Sequence, residues 1–314
     1  MKIFKTTWPL VGSIILLLAL FRFLVTTFLN SSNLLDLTQQ ISVNAILAFG
    51  MTLVILSGGI DLSVGALLAL TGTAAAFSLL QSGLGLPMPL ALAAGVGLGA
   101  LFGLINGTAV SRTSLPPFIV TLATMLVARG CALRFNEGRP MSIALKHESF
   151  LDLGNGRIAG LPVPVIIMLA LFAVCAVLLH RTRYGQHLYA LGGNREAARF
   201  AGIPVARVET LAYVVCGALA GVAGAIQTAQ LYSAEPASGQ GFELNAIAAA
   251  AVGGASFSGG RGTLFGTLLG AIIIGILDKG LNQTGVHFSF QYMVKGAVLL
   301  AAVSADVWRQ KRAV

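Results

Sequence analysis

The sequence predicts an all-α, polytopic membrane bundle of about ten transmembrane helices, and three observations predict it. Of 314 residues, 56% are hydrophobic and only 10% charged, against roughly 25% charged in an ordinary soluble domain. Mean hydropathy is +0.86. The apolar residues also gather in runs close to the roughly 20 residues that cross a bilayer. With 11 acidic and 20 basic residues, a soluble fold of this size would lack a charged shell, which excludes a soluble enzyme. The 38 glycines sit inside apolar stretches, as in helices packed backbone to backbone, and so disorder and collagen are excluded too.

Taken in order, the candidate spans are 8–29, 35–56, 64–80, 90–110, 118–133, 163–179, 208–231, 244–257, 264–281 and 290–307. The first follows Lys2 and Lys5, is too long for a signal-peptide core and has no small-x-small cleavage site. It is expected to be retained. The fourth carries Gly95, Gly99, Gly103 and Gly107 at every fourth residue, and the ninth Gly262, Gly266 and Gly270; each ladder predicts a flat stripe for close helix contact. No composition shift or long linker divides the chain, so residues 1–314 are expected to form a single transmembrane domain.

An even number of spans puts both termini on one side. Loops on that side hold Lys2, Lys5, Arg112, the five arginines from Arg181 to Arg207, Arg261, Arg309, Lys311 and Arg312. Positive charge marks the cytoplasmic side, so both termini are expected there. The largest opposite loop, 134–162, mixes Arg134, Arg139, Lys146 and Arg157 with Glu137, Glu148 and Asp152. This placement also accounts for the net charge of +9 without nucleic acid, since the cations lie in short runs with no aromatic interleaving.

Much chemistry is missing from the sequence. Gly259-Gly260-Arg261-Gly262-Thr263 is the nearest approach to a phosphate loop, and it lacks the lysine and the spacing of GxxxxGK[ST]. The chain is not expected to hydrolyse ATP. There is no GxSxG or HExxH, and Cys131, Cys175 and Cys216 show no CxxC or Cys/His spacing, so no catalytic residue, metal or cofactor is expected. Charges within or near spans are Arg22, Asp61, Arg129 and Lys295, which form no acidic relay; Arg22 is expected to snorkel, and the other cations are given no role.

Four stretches carry functional signals. In Ser57-Gly58-Gly59-Ile60-Asp61-Leu62-Ser63 a glycine break precedes Asp61, which either caps the restarting helix or lines a hydrophilic path. Gln40 and Asn44 in the second span, with Thr121 and Thr124 in the fifth, have helical spacing; they line a path or make interhelical hydrogen bonds. In the loop 180–209, Asn194 can cap a short helix that Gly202 ends. Ala197, Ala198 and Ala201 give that helix a small apolar face, opposite Arg195, Glu196 and Arg199. Such a knob suits a groove on another protein, or an anionic lipid surface.

Gly59-Ile60-Asp61-Leu62-Ser63-Val64-Gly65, Gly192-Gly193-Asn194-Arg195-Glu196-Ala197-Ala198, and Glu243-Leu244-Asn245-Ala246-Ile247 leading to Gly253-Gly254-Ala255-Ser256-Phe257-Ser258-Gly259-Gly260-Arg261-Gly262 strongly resemble the ribose-type permease subunits of bacterial sugar ABC importers. The resemblance spans nearly the whole chain. It implies a multi-pass inner-membrane protein working as a dimer, with a second copy of the chain as the expected partner. It further implies a cytoplasmic ABC ATPase subunit, a periplasmic sugar-binding protein and a monosaccharide substrate, ribose being the best single guess. Asn194, Arg195, Glu196, Ala197, Ala198 and Gly202 would form the ATPase-coupling helix, and Gln40, Asn44, Asp61, Thr121, Thr124 and Asn245 the translocation path. Asn245 is a departure, because these permeases commonly carry Asp there. A proton-coupled secondary sugar transporter is the rival, and an acidic intramembrane relay would mark it. A membrane scaffold without transport is the third class.

Overall fold

A computed structural model describes residues 2–113, 115–135 and 137–311. Arg312, counted above among the tail cations, lies outside the described residues, as do the side chains of Lys2, Lys5, Lys146, Arg309 and Lys311. The ten predicted runs fall on α1 (Lys2–Leu24), α2 (Ser31–Leu56), α3 (Val64–Leu79), α4 (Met88–Arg112), α5 (Pro117–Arg134), α7 (Val163–Arg181), α10 (Val205–Gln230), α11 (Phe242–Val252), α12 (Leu264–Gln283) and α13 (Phe288–Lys311). Three short helices occupy loops: α6 (Glu148–Asn155), α8 (Arg183–Gly193) and α9 (Arg195–Phe200). Among the described residues, strands form only two-residue pairings, β1 (Met141–Ser142) with β4 (Ser233–Ala234) and β2 (Arg157–Ile158) with β3 (Leu161–Pro162).

Seven of these helices are long and apolar enough to cross a membrane, whereas α3, α11 and the apolar part of α13 are shorter. Two helices end well short of the runs predicted for them. The first helix stops at Leu24 rather than residue 29, because the chain turns to bury Phe28 against Phe21, ring centroids 5.4 Å apart. The helix α11 stops at Val252, where Gly253 and Gly254 reverse the chain, Gly254 at φ +90° in a region open mainly to glycine.

The core is the inner group α2, α3, α10, α11 and α12. Every residue of α2 from Ile41 to Leu56 is buried, so this helix is enclosed by protein on all sides. By contrast α1, α4, α5 and α7 turn residues such as Leu16, Phe23, Leu126 and Val174 outward, as a lipid-facing layer requires.

The glycine ladders set the closest contacts. A methyl group added at Gly99 would land on the carbonyl of Gly217 in α10, and one at Gly103 on the carbonyl of Tyr213. On α12, Gly266 and Gly270 meet the carbonyls of Gly253 and Ala249 in the same way. Both stripes therefore pack helix against helix. Arg129 has a structural place as well: its Nη1 donates to the carbonyls of Pro236 and Ser238, each at 2.7 Å, tying α5 to the turn before α11. Arg22 is exposed in the last turn of α1.

Candidate functional site

At one end of the bundle, the beginnings of α2, α11 and α13 and the ends of α10 and α12 surround a cavity of about 560 Å³. That size lies within the roughly 300–1,000 Å³ typical of small-molecule sites. Its wall is rich in side-chain amides, with Gln40 and Asn44 from α2, Gln227 and Gln230 from α10, and Asn245 from α11. The first pair and Asn245 are three of the six path residues expected from the sequence.

An ion pair braces this wall. Lys295 Nζ lies 3.1 Å from Asp278 Oδ2, and Asn245 Nδ2 donates to the same oxygen at 3.3 Å, so α11, α12 and α13 converge on one carboxylate. Asn44 Oδ1 and Asp278 Oδ1 are buried acceptors without a hydrogen-bond partner. Asp278 is a charge inside the run 264–281 that the charges singled out above, Arg22, Asp61, Arg129 and Lys295, do not include. Gln227 and Gln230 were missed too, and their i, i+3 spacing in an apolar run was the available signal.

The other three expected path residues lie away from the cavity. Asp61, fully buried past the far end of α2, accepts from the Ser63 amide at 2.9 Å and the Ser63 hydroxyl at 2.5 Å. Ser63 Oγ in turn accepts from Asn106 Nδ2 at 3.0 Å, and Asn106 Oδ1 accepts from Thr124 Oγ1 at 2.5 Å. Thr121 Oγ1 donates to the Ile60 carbonyl at 3.2 Å. These groups fasten α4 and α5 to the turn before α3, and Asp61 closes an Asx-type turn there.

The loop 180–209 has the expected caps. Asn194 Oδ1 accepts from the Ala197 amide at 2.9 Å. At the other end the Ile203 amide donates to the Ala198 carbonyl and the Gly202 amide to the Arg199 carbonyl, a Schellman closure with Gly202 at φ +79°. Two expectations about its faces change. Ala198 is only 4% exposed, packed against its own chain, so the outward surface of α9 lacks it. Phe200, 87% exposed, supplies an apolar tip that the alanine pattern did not suggest. Arg195 is engaged internally, because its Nη1 and Nη2 reach the Glu209 carboxylate at the start of α10. Those hydrogen bonds hold the guanidinium above its ordinary range. Glu196, Ala197 and Gly202 are exposed.

Backbone contacts link this loop to two other turns. The Gly260 amide donates to the Leu56 carbonyl at 3.0 Å, and a side chain at Gly192 would strike both groups. Tyr189 Oη adds a bond to the Gly262 carbonyl at 2.8 Å. The end of α8 is thus clamped between the end of α2 and the turn that joins α11 to α12.

The sequence also matches known proteins. The family model described as branched-chain amino acid transport system / permease component matches residues 33–303. The ribose import permease protein of Bacillus subtilis (strain 168) is 45% identical over 298 residues, covering 95% of this chain and 91% of the relative. Its namesake from Escherichia coli (strain K12) is 44% identical over 300 residues, 95% of this chain and 92% of the relative. The D-allose transport system permease protein of Escherichia coli (strain K12) is 39% identical over 279 residues, 89% and 84% of the two chains. No solved structure gives a significant match.

Proposed function

Because the chain belongs to the family of branched-chain amino acid transport system permease components, we infer that it is the inner-membrane permease subunit of an ABC importer for a monosaccharide, ribose first. One observation carries the sugar: the ribose import permeases are 45% and 44% identical over 95% of the chain. The cavity supports it, with a wall of amides that can both donate to and accept from hydroxyl groups.

Ten spans, the three shorter helices included, leave both termini in the cytoplasm, and the cavity opens toward the periplasm. Two copies of the chain pair in the membrane. A periplasmic binding protein delivers sugar, Gln40, Asn44 and Asn245 line the upper part of its path, and a separate ATPase docks on α9.

This fold gives the coupling a physical route. Arg195 joins α9 to α10, whose last turns carry Gln227 and Gln230 into the cavity wall. The contacts of Gly192 and Gly260 join α8 to the turn between α11 and α12, and those helices carry Asn245 and Asp278 into the same wall. A tilt of the loop, imposed when the ATPase closes, would therefore reach both sides of the cavity through rigid helices.

The test is reconstitution. The chain is purified with the ATPase and binding protein that accompany it in native membranes, and ribose uptake is followed with ATP inside proteoliposomes and binding protein outside. ATP-dependent uptake is expected. Uptake that instead follows a proton gradient and ignores ATP would support the secondary-transporter rival.

A further inference from the structure

We propose that Asn44 and Asp278 form a hydroxyl-reading subsite inside the cavity, in which Asn44 Oδ1 and Asp278 Oδ1 each accept a hydrogen bond from the same neutral sugar. Two buried acceptors carry the argument. Asn44 is 5% exposed and Asp278 8%, both line the one cavity, and neither of these oxygens has a partner. A buried acceptor left unpaired is costly, so two of them on residues that line one polar cavity point to a ligand that brings donors. Hydroxyl groups are such donors.

The charges narrow the ligand further. The cavity's charged lining is Asp36 and Asp278 with Lys279 and Lys295, which balances. Lys295 is matched to Asp278 Oδ2, and Asn245 Nδ2 holds that same oxygen. Their joint grip occupies Oδ2 and leaves Oδ1 as the carboxylate oxygen without a partner. A wall of amides and balanced charge suits a neutral polyol better than a ligand with a carboxylate of its own. Asn245 and Lys295 are positioning residues here, and Asn44 and Asp278 the contacting ones.

This inference rests on the permease reading, and the experiment separates the two. Proteoliposomes holding the full chain with its co-purified ATPase take up ribose or 2-deoxyribose or 3-deoxyribose, each at saturating sugar and binding protein, and the ratio of ribose uptake to each deoxy-sugar is compared among variants. Wild type is expected to favour ribose over at least one deoxy-sugar by about two- to tenfold, the worth of one neutral hydrogen bond. Asn44→Leu should bring that ratio towards one, while Asn44→Asp, which keeps an acceptor oxygen, should preserve it. A purely structural defect would lower uptake of every sugar alike and leave the ratio intact. Should Asn44→Leu fail to assemble, the double variant Asp278→Leu with Lys295→Met exchanges the ion pair for apolar groups of similar size and reads the second acceptor by the same ratio. An unchanged ratio in the variants that assemble overturns the subsite. Absence of ATP-driven ribose uptake by wild type would overturn the permease reading, and the subsite with it.

Discussion

The Arg195 guanidinium grips both oxygens of the Glu209 carboxylate, Nη1 to Oε1 at 2.9 Å and Nη2 to Oε2 at 2.7 Å. The Glu209 side chain is 3% exposed and that of Arg195 46% exposed, so the carboxylate depends on this partner more than the guanidinium does. Fork geometry of this kind fixes orientation as well as distance. It makes a six-residue helix, too short to hold itself together, a rigid extension of α10.

Removing the arginine should therefore expose that dependence. Arg195→Ala strands a nearly buried carboxylate and is expected to lower stability by about 1–3 kcal/mol. Glu209→Gln in the same background should recover part of the loss, because a neutral amide is cheaper to bury unpaired than a charge. Thermal unfolding in detergent measures both. Equal stability of Arg195→Ala and wild type would mean that the pair adds nothing.

Glycine positions on α4 offer an internal control. Gly99 and Gly97 are two residues apart, but a methyl at Gly99 would overlap the Gly217 carbonyl while one at Gly97 meets nothing within 4 Å. Gly99→Leu should force α4 from α10 and lose detergent-stable protein, as should Gly266→Leu, which would force α12 from α11. Gly97→Leu should behave as wild type by size-exclusion chromatography. Similar profiles for all three would mean that the stripes are not where the helices meet.

Topology can be tested at exposed loop positions in a background lacking Cys131, Cys175 and Cys216. Ser149 and Phe200 are both exposed. An impermeant thiol reagent should label Ser149→Cys in intact spheroplasts, and Phe200→Cys only after lysis. The reverse pattern would invert the cation-based orientation.

Most of the bundle was legible because a span announces itself by length and composition alone, and even the early end of α11 is written in Gly253-Gly254. What a chain cannot display locally is which polar groups meet. The cavity wall joins Gln39 to Gln230, whose Nε2 donates to the Gln39 carbonyl at 3.4 Å across a sequence separation of 191. Thr121 and Thr124 have the same helical spacing as Gln40 and Asn44, yet α5 faces the turn before α3 and not the cavity. Likewise Ala197 and Ala198 look equivalent in the sequence, and only the packing of α9 on its own bundle buries one and exposes the other.

That difference also decides how the docking of α9 should be tested. A bulky replacement at Ala198 would distort the loop itself, so loss of function there would say nothing of a partner. Phe200 and Glu196 are the informative positions, since both are exposed and neither supports the caps at Asn194 and Gly202. Phe200→Ser should leave the melting temperature of the chain unchanged, or raise it slightly, because it removes an exposed ring. If that ring fills a pocket on the ATPase, the same change should cost about 2–4 kcal/mol of association, as a buried aromatic anchor does. Glu196→Arg should act mainly through charge, weakening association most at low salt. Pull-down of the ATPase and ATP-driven ribose uptake are the paired measurements. Stable chains that have lost both place the contact at the tip of α9, whereas stable chains that retain both would move the docking surface elsewhere on the chain.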